Sequence, residues 1–298
     1  MSVEAGRIEF PTVAVGAESP RGKLRAFDIV GLILTLATLA FAIIWAFPLY
    51  WAIVTTLKPE YEVVEPGIRL WPATFTLEAY TYVLLNTKIG LWYLNSLVTS
   101  GAVTVIVIFM AAACGYAISQ LRFPGRRLLF LSIMASFMVP IQALMITHFV
   151  LMSNFGLLNT WLGVILPQLI VPVVVLVYKQ FFDSIPRDFR EAAIMDGANE
   201  FQLLFKIYLP MNWGVTTALA IITFIGAWNA FLWPFLAQNS EEMMNITVGI
   251  TQVHSAFGVQ YARELAGAVL AGLPVALAYL IFQRRVTQAI TLSAGIKG

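Results

Sequence analysis

Charge is scarce in this chain. Eighteen Lys and Arg and 16 Asp and Glu serve 298 residues, which is 11%, where soluble domains carry about 25%. Residues 29–57, 128–178 and 207–240 contain no Asp, Glu, Lys or Arg at all. A bilayer-crossing helix takes about 20 apolar residues, so these blocks have room for one, two and one spans. Cysteine is nearly absent too: Cys114 stands alone, which excludes an intrachain disulfide and a cysteine metal cluster. No G-x-x-x-x-G-K-[ST] run occurs, so the chain hydrolyses no ATP through a P-loop. HExxH, GxSxG and paired-cysteine sets are missing as well. No catalytic, metal-binding or cofactor-binding site is therefore expected in this chain. An apolar core of signal length is lacking before Phe27, and Glu4, Glu9 and Glu18 interrupt the start. Residues 1–26 thus read as a cytosolic tail rather than a signal peptide.

What is present is apolar: 59% of the chain. Six stretches have the length and apolarity of spans, at about 29–55, 91–120, 128–152, 160–178, 212–236 and 265–282. In lipid each must satisfy its backbone internally, which helices do, and the alternating dyads of a membrane β-barrel are not visible. The expected fold is an all-α integral membrane protein, with a six-helix region over 27–283 between tails at 1–26 and 284–298. Basic residues set its orientation. With the N-terminus inside, fourteen Lys and Arg fall on inner segments, and only Lys58, Arg69, Lys88 and Arg263 fall on outer ones. The positive-inside bias predicts both termini, and the 179–210 loop, on the cytoplasmic side.

That loop is the most specific segment. Pro186 suits a first helical turn, with Asp188 and Glu191 near its positive end. Ala192 and Ala193 are small and allow close approach of another surface. Gly197 is placed to end the helix in a left-handed conformation. Asn199 and Gln202 form a capping-box signature for a second helix, on which Phe201, Leu204 and Phe205 supply an apolar face. Leu209-Pro210 is expected to stop it before the fifth span. A helix–Gly–helix that shows small and apolar residues to the cytosol calls for a partner; the plainer alternative is a wet re-entry turn between spans.

The pattern Glu191-Ala192-Ala193, Gly197, Ile207-x-Leu209-Pro210 resembles the EAA loop of binding-protein-dependent ABC transporter permeases. Likeness to that family's carbohydrate-uptake branch continues in YAISQLRFPGRR (116–127), in Met138 to Gln142, in Gly156 to Trp161 and in Ala227 to Pro234. The resemblance implies a type I importer permease fold and a place in the inner membrane of a bacterium or archaeon. It implies four partners: a homologous second permease, two copies of an ATPase that binds the ATP and Mg, and an extracytoplasmic binding protein. Membrane lipid completes the surroundings, and nucleic acid has no part. On this reading Glu191, Ala192, Ala193, Asp196, Gly197, Ile207, Leu209 and Pro210 couple to the ATPase. The terminal Gly295, Lys297 and Gly298 resemble a tail that reaches between ATPase subunits, although Leu292-Ser293 replace the usual glycine-rich run. The solute would be a sugar or oligosaccharide; polyol phosphates or sulfonated sugars are the alternative within the family. Outside it, an ion-coupled secondary transporter is disfavoured, because His148 is the one ionisable group within the spans.

Polar groups in apolar spans bond another helix or face water, since burying them unpartnered is costly. Asn95, Ser96, Gln142, Gln168 and Asn229 pose that choice, and His148 is read as an interhelical hydrogen-bond donor. Gln142, Trp228, Asn229 and Trp233 are candidates for the translocation pathway, because aromatic faces beside amides suit sugars; a packing cluster is the rival. Residues 237–264 are expected either to reach the binding protein or to lie on the membrane through Met243, Met244, Ile246 and Val248.

Overall fold

The computed structural model describes residues 29–253 and 259–293, with side chains as far as residue 283. All regular structure among them is helical. Helix α1 covers Ile29–Thr56, α2 Glu60–Val64, α3 Glu78–Asn86 and α4 Ile89–Gln120. Helix α5 (Arg126–Phe137) leads through a 3-10 turn at Ile141–Leu144 into α6 (Met145–Asn154). Helix α7 (Trp161–Ile165) runs into a turn at Leu166–Gln168, followed by α8 (Pro172–Asp183) and α9 (Arg187–Met195). Helix α10 (Glu200–Leu203), a π segment (Leu204–Tyr208) and α11 (Leu209–Met211) are continuous. Helices α12 (Trp213–Trp228), α13 (Leu232–Ala237), α14 (Ile246–Gly249) and α15 (Tyr261–Ser293) complete the chain.

Three helices, α1, α4 and α15, are each long and apolar enough to cross a membrane, and the count rises to six if each of three bent pairs is one span. The stretches expected as straight third and fourth spans are bent. The axis turns by 94° between α5 and the segment Ile141–Asn154, and by 51° between Trp161–Gln168 and α8. Pro140 and Pro172 lie at these bends; a proline removes a backbone donor and its ring blocks the preceding turn. The fifth span is shorter than expected. Sixteen residues of α12 rise about 24 Å, short of a hydrocarbon core of about 30 Å.

The chain divides within α1 into two units, residues 1–50 and 51–298. In the first, every described side chain but Gly31 is exposed, and the sequence is apolar all round. Thr35 and Thr38 donate to the carbonyls of Gly31 and Leu34, each at 2.7 Å. A lipid-facing helix requires such internal satisfaction.

In the second unit α4 is the axle, and α8 and α12 pack along it. Among larger apolar residues such as Val103, Val107 and Ile118, its buried face carries the small or polar Ser96, Thr99, Ser100, Ala111, Ala112 and Gly115, which let backbones approach as membrane helices prefer. At Gly115 α8 comes close: a Cβ there would lie 2.8 Å from Tyr178 Cβ and 3.1 Å from the Lys179 nitrogen. Any side chain at this position would push α8 away.

The Ile89 end of α4 is sewn to residues 238–246. Asn95 donates to the carbonyls of Glu242 (2.8 Å) and Met244 (3.0 Å) and accepts from Trp161 Nε1 (2.9 Å). Ser96 accepts from the Ile246 nitrogen (2.7 Å), and Asn245 donates to Thr99 (3.1 Å). Asn95 and Ser96 therefore bind an entering loop instead of facing a wet pathway. Of the four residues expected to hold it on the membrane, Met244, Ile246 and Val248 are buried in protein. Residues 254–258, including His254, are outside the described set.

The preceding connection braces the same end. Glu60 accepts from the nitrogens of Tyr261 (2.9 Å) and Ala262 (3.0 Å) at the start of α15. Arg263 pairs with Glu78 (3.2 Å) over the Tyr82 ring. Glu62 accepts from Ala73 (2.8 Å) and Thr74 (3.2 Å). The Ala73 N–H is the main cause holding this carboxyl below the ordinary carboxylate range. Its brace is present at neutral pH and is lost only as pH falls through that depressed value.

Asn95→Leu would strand the buried Met244 carbonyl and take a partner from the part-buried Glu242 carbonyl and Trp161 N–H, a cost on the order of 2–3 kcal/mol. Thermal unfolding of the detergent-solubilised protein should show a clearly lower Tm than wild type. An unchanged Tm would mean that the entering loop is held by its apolar residues alone.

Candidate functional site

Beyond the Gln120 end of α4, the chain forms two short helices joined at Gly197. Pro186 sits at the N-cap of α9, one residue ahead of the first turn. The helix ends in a Schellman closure: the Ala198 nitrogen donates to the Ala193 carbonyl and Gly197 to Ile194, both at 2.9 Å. Gly197 has φ +82° with open space where a Cβ would go, so the need for glycine is conformational and not steric. The capping box forms as the sequence reads: Asn199 and Gln202 exchange side-chain-to-backbone bonds, both at 2.9 Å. The second helix ends at Met211, one residue past Leu209-Pro210, and the axis then turns 85° into α12. A π segment runs up to Leu209-Pro210.

The motif residues divide between two faces. Ala193, Ile207 and Leu209 pack against the core built around α4, α8 and α12. Glu191, Ala192, Asp196, Gly197 and Pro210 are exposed. Of the three residues expected to form a sticky face on the second helix, Leu204 turns inward and is buried, while Phe201 and Phe205 remain outside. Phe189, Ile194 and Met195 extend that outer surface from α9, with Met195 89% and Phe201 75% exposed.

Residues the sequence reading did not single out fix this hairpin to the bundle. Glu200 pairs with Arg190 at 2.5 Å and accepts from the Tyr116 hydroxyl on α4. Tyr208 donates to Gln120 (2.8 Å), which donates to Ser119 (2.7 Å) and to the Phe182 carbonyl (3.1 Å). Ser119 donates to Asp183 (2.6 Å), which also takes Lys179 (2.6 Å). Arg126 closes the end of α4 by donating to the Ser119 carbonyl (2.9 Å). Beneath lies an aromatic cluster in which Tyr116 and Tyr208 meet edge to face at 5.1 Å and Phe182 and Tyr208 at 5.5 Å. The Arg190 and Glu200 side chains are 25% and 44% exposed. Such a pair adds at most about 1 kcal/mol of stability, so it serves to fix geometry. A cleft of about 900 Å³ opens alongside, bordered by Arg122, Arg126, Arg187, Arg190, Glu191 and Glu200.

The four pathway candidates do not share one place. Gln142 and Trp233 line a common cavity of about 350 Å³. Trp228 is buried elsewhere, donating to the Ala271 carbonyl at 3.3 Å. Asn229 is exposed at the C-cap of α12. His148 meets the Trp233 ring edge-on at 5.8 Å and makes no hydrogen bond among the described residues, unlike the donor expected. Gly295, Lys297 and Gly298 lie outside the described residues. Among the described residues, no group of three or more His, Cys, Asp or Glu could hold a metal ion.

Residues 105–291 match the family described as "Binding-protein-dependent transport system inner membrane component". The chain is 31% identical over 275 residues to the arabinooligosaccharides transport system permease protein AraQ of Bacillus subtilis, covering 91% of this chain and 98% of that protein. It is 30% identical to the diacetylchitobiose uptake system permease protein NgcG of Streptomyces coelicolor, covering 85% and 86%. In fold it is similar to a chain in the crystal structure of a bacterial ABC transporter involved in the import of the acidic polysaccharide alginate. The TM-score there is 0.78, at 23% identity over 87% of this chain and 97% of that one. The chain belongs to the family of binding-protein-dependent transport system inner membrane components, non-enzymatic permeases of ABC transporters.

Gly197→Ala forces an L-residue into the left-handed region at a cost of about 1–2 kcal/mol, with no clash. The purified variant should unfold at a lower Tm than wild type. An unchanged Tm would show that the hairpin accepts an L-residue here without strain.

Proposed function

We propose that this chain is one of two permease subunits of an ATP-driven importer, and that with its homologue it forms the pathway for a sugar or oligosaccharide. A binding protein would deliver the solute from outside, and two copies of an ATPase would bind ATP and Mg on the inside. Supporting the carbohydrate class are the two relatives whose names specify arabinooligosaccharides and diacetylchitobiose. The orientation, with both ends and the α9–α10 hairpin in the cytosol and six crossings in all, rests on the fourteen-to-four division of basic residues.

The observation that carries the coupling role is the exposed apolar surface of Phe189, Ile194, Met195 and Phe201 on a hairpin fixed to α4, on which Phe205 stacks against Phe109. Apolar side chains held out from a rigid support are suited to burial by a partner. In the proposed cycle, ATP closes the ATPase dimer and displaces this surface. Glu200, Arg190 and Tyr116 pass the displacement to α4, and α8 and α12 follow through their packing on it. The bundle thereby rocks between inward-open and outward-open forms, as rigid-body alternating access requires. Nucleotide supplies the bias because the ATPase binds it more tightly in one state.

Met195→Asp and Phe201→Asp alter side chains that touch little of this chain. Both variants should reach the membrane folded but co-purify with at least about tenfold less ATPase than wild type, equivalent to about 1.4 kcal/mol. Normal co-purification from both would remove the hairpin as the docking surface.

The orientation has its own test in a Cys114→Ala background. An impermeant maleimide should label Asn239→Cys on intact cells and Ser184→Cys only after permeabilisation. The opposite pattern would invert the proposed topology.

A further inference from the structure

Two of the bent spans and the gap that follows α12 bring three breaks in helical structure to one cavity. The first lies between α5 and the turn at Ile141, the second between Gln168 and α8, and the third at 229–231 between α12 and α13. The cavity of about 350 Å³ is lined from all three: Gln142 follows the first break, Gln168 precedes the second, and Phe231 and Trp233 stand at the third. His148 closes one side and is shared with an adjoining apolar cavity of about 560 Å³. Irregular backbone at membrane depth is tolerated where it is buried in protein or lines a cavity, and transporters hold substrates at such discontinuities. The volume also falls in the range of ligand pockets, about 300–1,000 Å³.

The lining chemistry is specific. Trp233 commits its N–H to the Gly163 carbonyl at 3.2 Å, so it offers the cavity only its ring. Phe231 is partly exposed beside it. Gln168 donates to the Val164 carbonyl at 2.9 Å, which leaves its amide oxygen as an acceptor, and the Gln142 amide is exposed. No Lys, Arg, Asp or Glu lines the cavity. Ring faces with neutral amides match the apolar faces and hydroxyl edges of a sugar. With no lysine or arginine, and His148 the single imidazole on the lining, they offer a carboxylate, sulfonate or phosphate no permanent cation, and burying such a charge unpaired is costly.

We propose that this junction of broken spans is a sugar subsite contributed by this subunit, and that it accepts uncharged sugar units. The inference rests on the carbohydrate-import reading above and adds to it the site and the charge class. Gln142 and Gln168 bond hydroxyls, and Phe231 and Trp233 pack on the ring.

The test uses the complete importer, with its binding protein, in proteoliposomes loaded with ATP. Arabinotriose, maltotriose and diacetylchitobiose serve as uncharged probes, and alginate trisaccharide and sn-glycerol 3-phosphate as anionic ones. Wild type should import at least one uncharged probe and neither anion. Gln142→Ala and Phe231→Ala should each lower the molecules imported per ATP hydrolysed by about tenfold, the effect of one lost contact of about 1.4 kcal/mol. A purely structural role would lower import and hydrolysis together and leave that ratio unchanged, which would overturn the subsite. Import of an anionic probe alone would overturn the charge class while leaving carrier function intact. Import of none of the five would instead sink the carbohydrate reading on which the inference rests.

Discussion

One carboxylate joins the exposed hairpin to the membrane bundle. Glu200 is held by Arg190 from α9 and by Tyr116 from α4, so two short helices and one of the long helices of the core share one fixing point. The bond from Tyr208 to Gln120 doubles it a few residues away. Without these ties the hairpin would be connected to the core chiefly by apolar contacts, which resist separation but have little directional preference. The coupling role proposed for the hairpin requires such a direction. Hydrogen bonds supply it through geometry, even where their net contribution to stability is only about 1 kcal/mol each.

The motif that identifies the family divides its work in the same way. Ala193, Ile207 and Leu209 belong to the inner face and set how closely the hairpin lies on α4 and α8. Glu191, Ala192 and Asp196 belong to the outer face. A pattern read as a docking signature is therefore half a packing signature, and substitution of its inner members would disturb the core before it disturbed a partner.

Local chemistry was legible in the sequence. The capping box at Asn199 and Gln202 and the left-handed Gly197 follow from contacts within six residues, and both form as read. The long apolar blocks announced an all-helical membrane fold. Hidden from that reading was whatever depends on distance. Glu200 and Arg190 are ten residues apart on different helices, and Tyr116 is 84 residues from Glu200, with no periodicity to link them. Asn95 meets its carbonyl partners across 147 and 149 residues, so composition could say only that it needed partners. The bends at Pro140 and Pro172 had a visible cause, but apolarity alone made those stretches look continuous. Gln142 and Trp233 were chosen for their chemistry and share a cavity; Trp228, chosen on the same grounds, packs against the last helix.

If the hairpin and α4 move as one body, the distance between them stays fixed while the transporter cycles. Spin labels at Asp196→Cys and at Met110→Cys, an exposed position on α4, in a Cys114→Ala background within the assembled complex, report that distance directly. The account predicts the same separation, to within about 2 Å, with the ATPase partner nucleotide-free and ATP-bound, since element shifts in switching proteins of about 5 Å would be resolved. A change of that size between the two states would show that the hairpin swings on the bundle, and would contradict the rigid coupling claimed for Glu200, Arg190 and Tyr116.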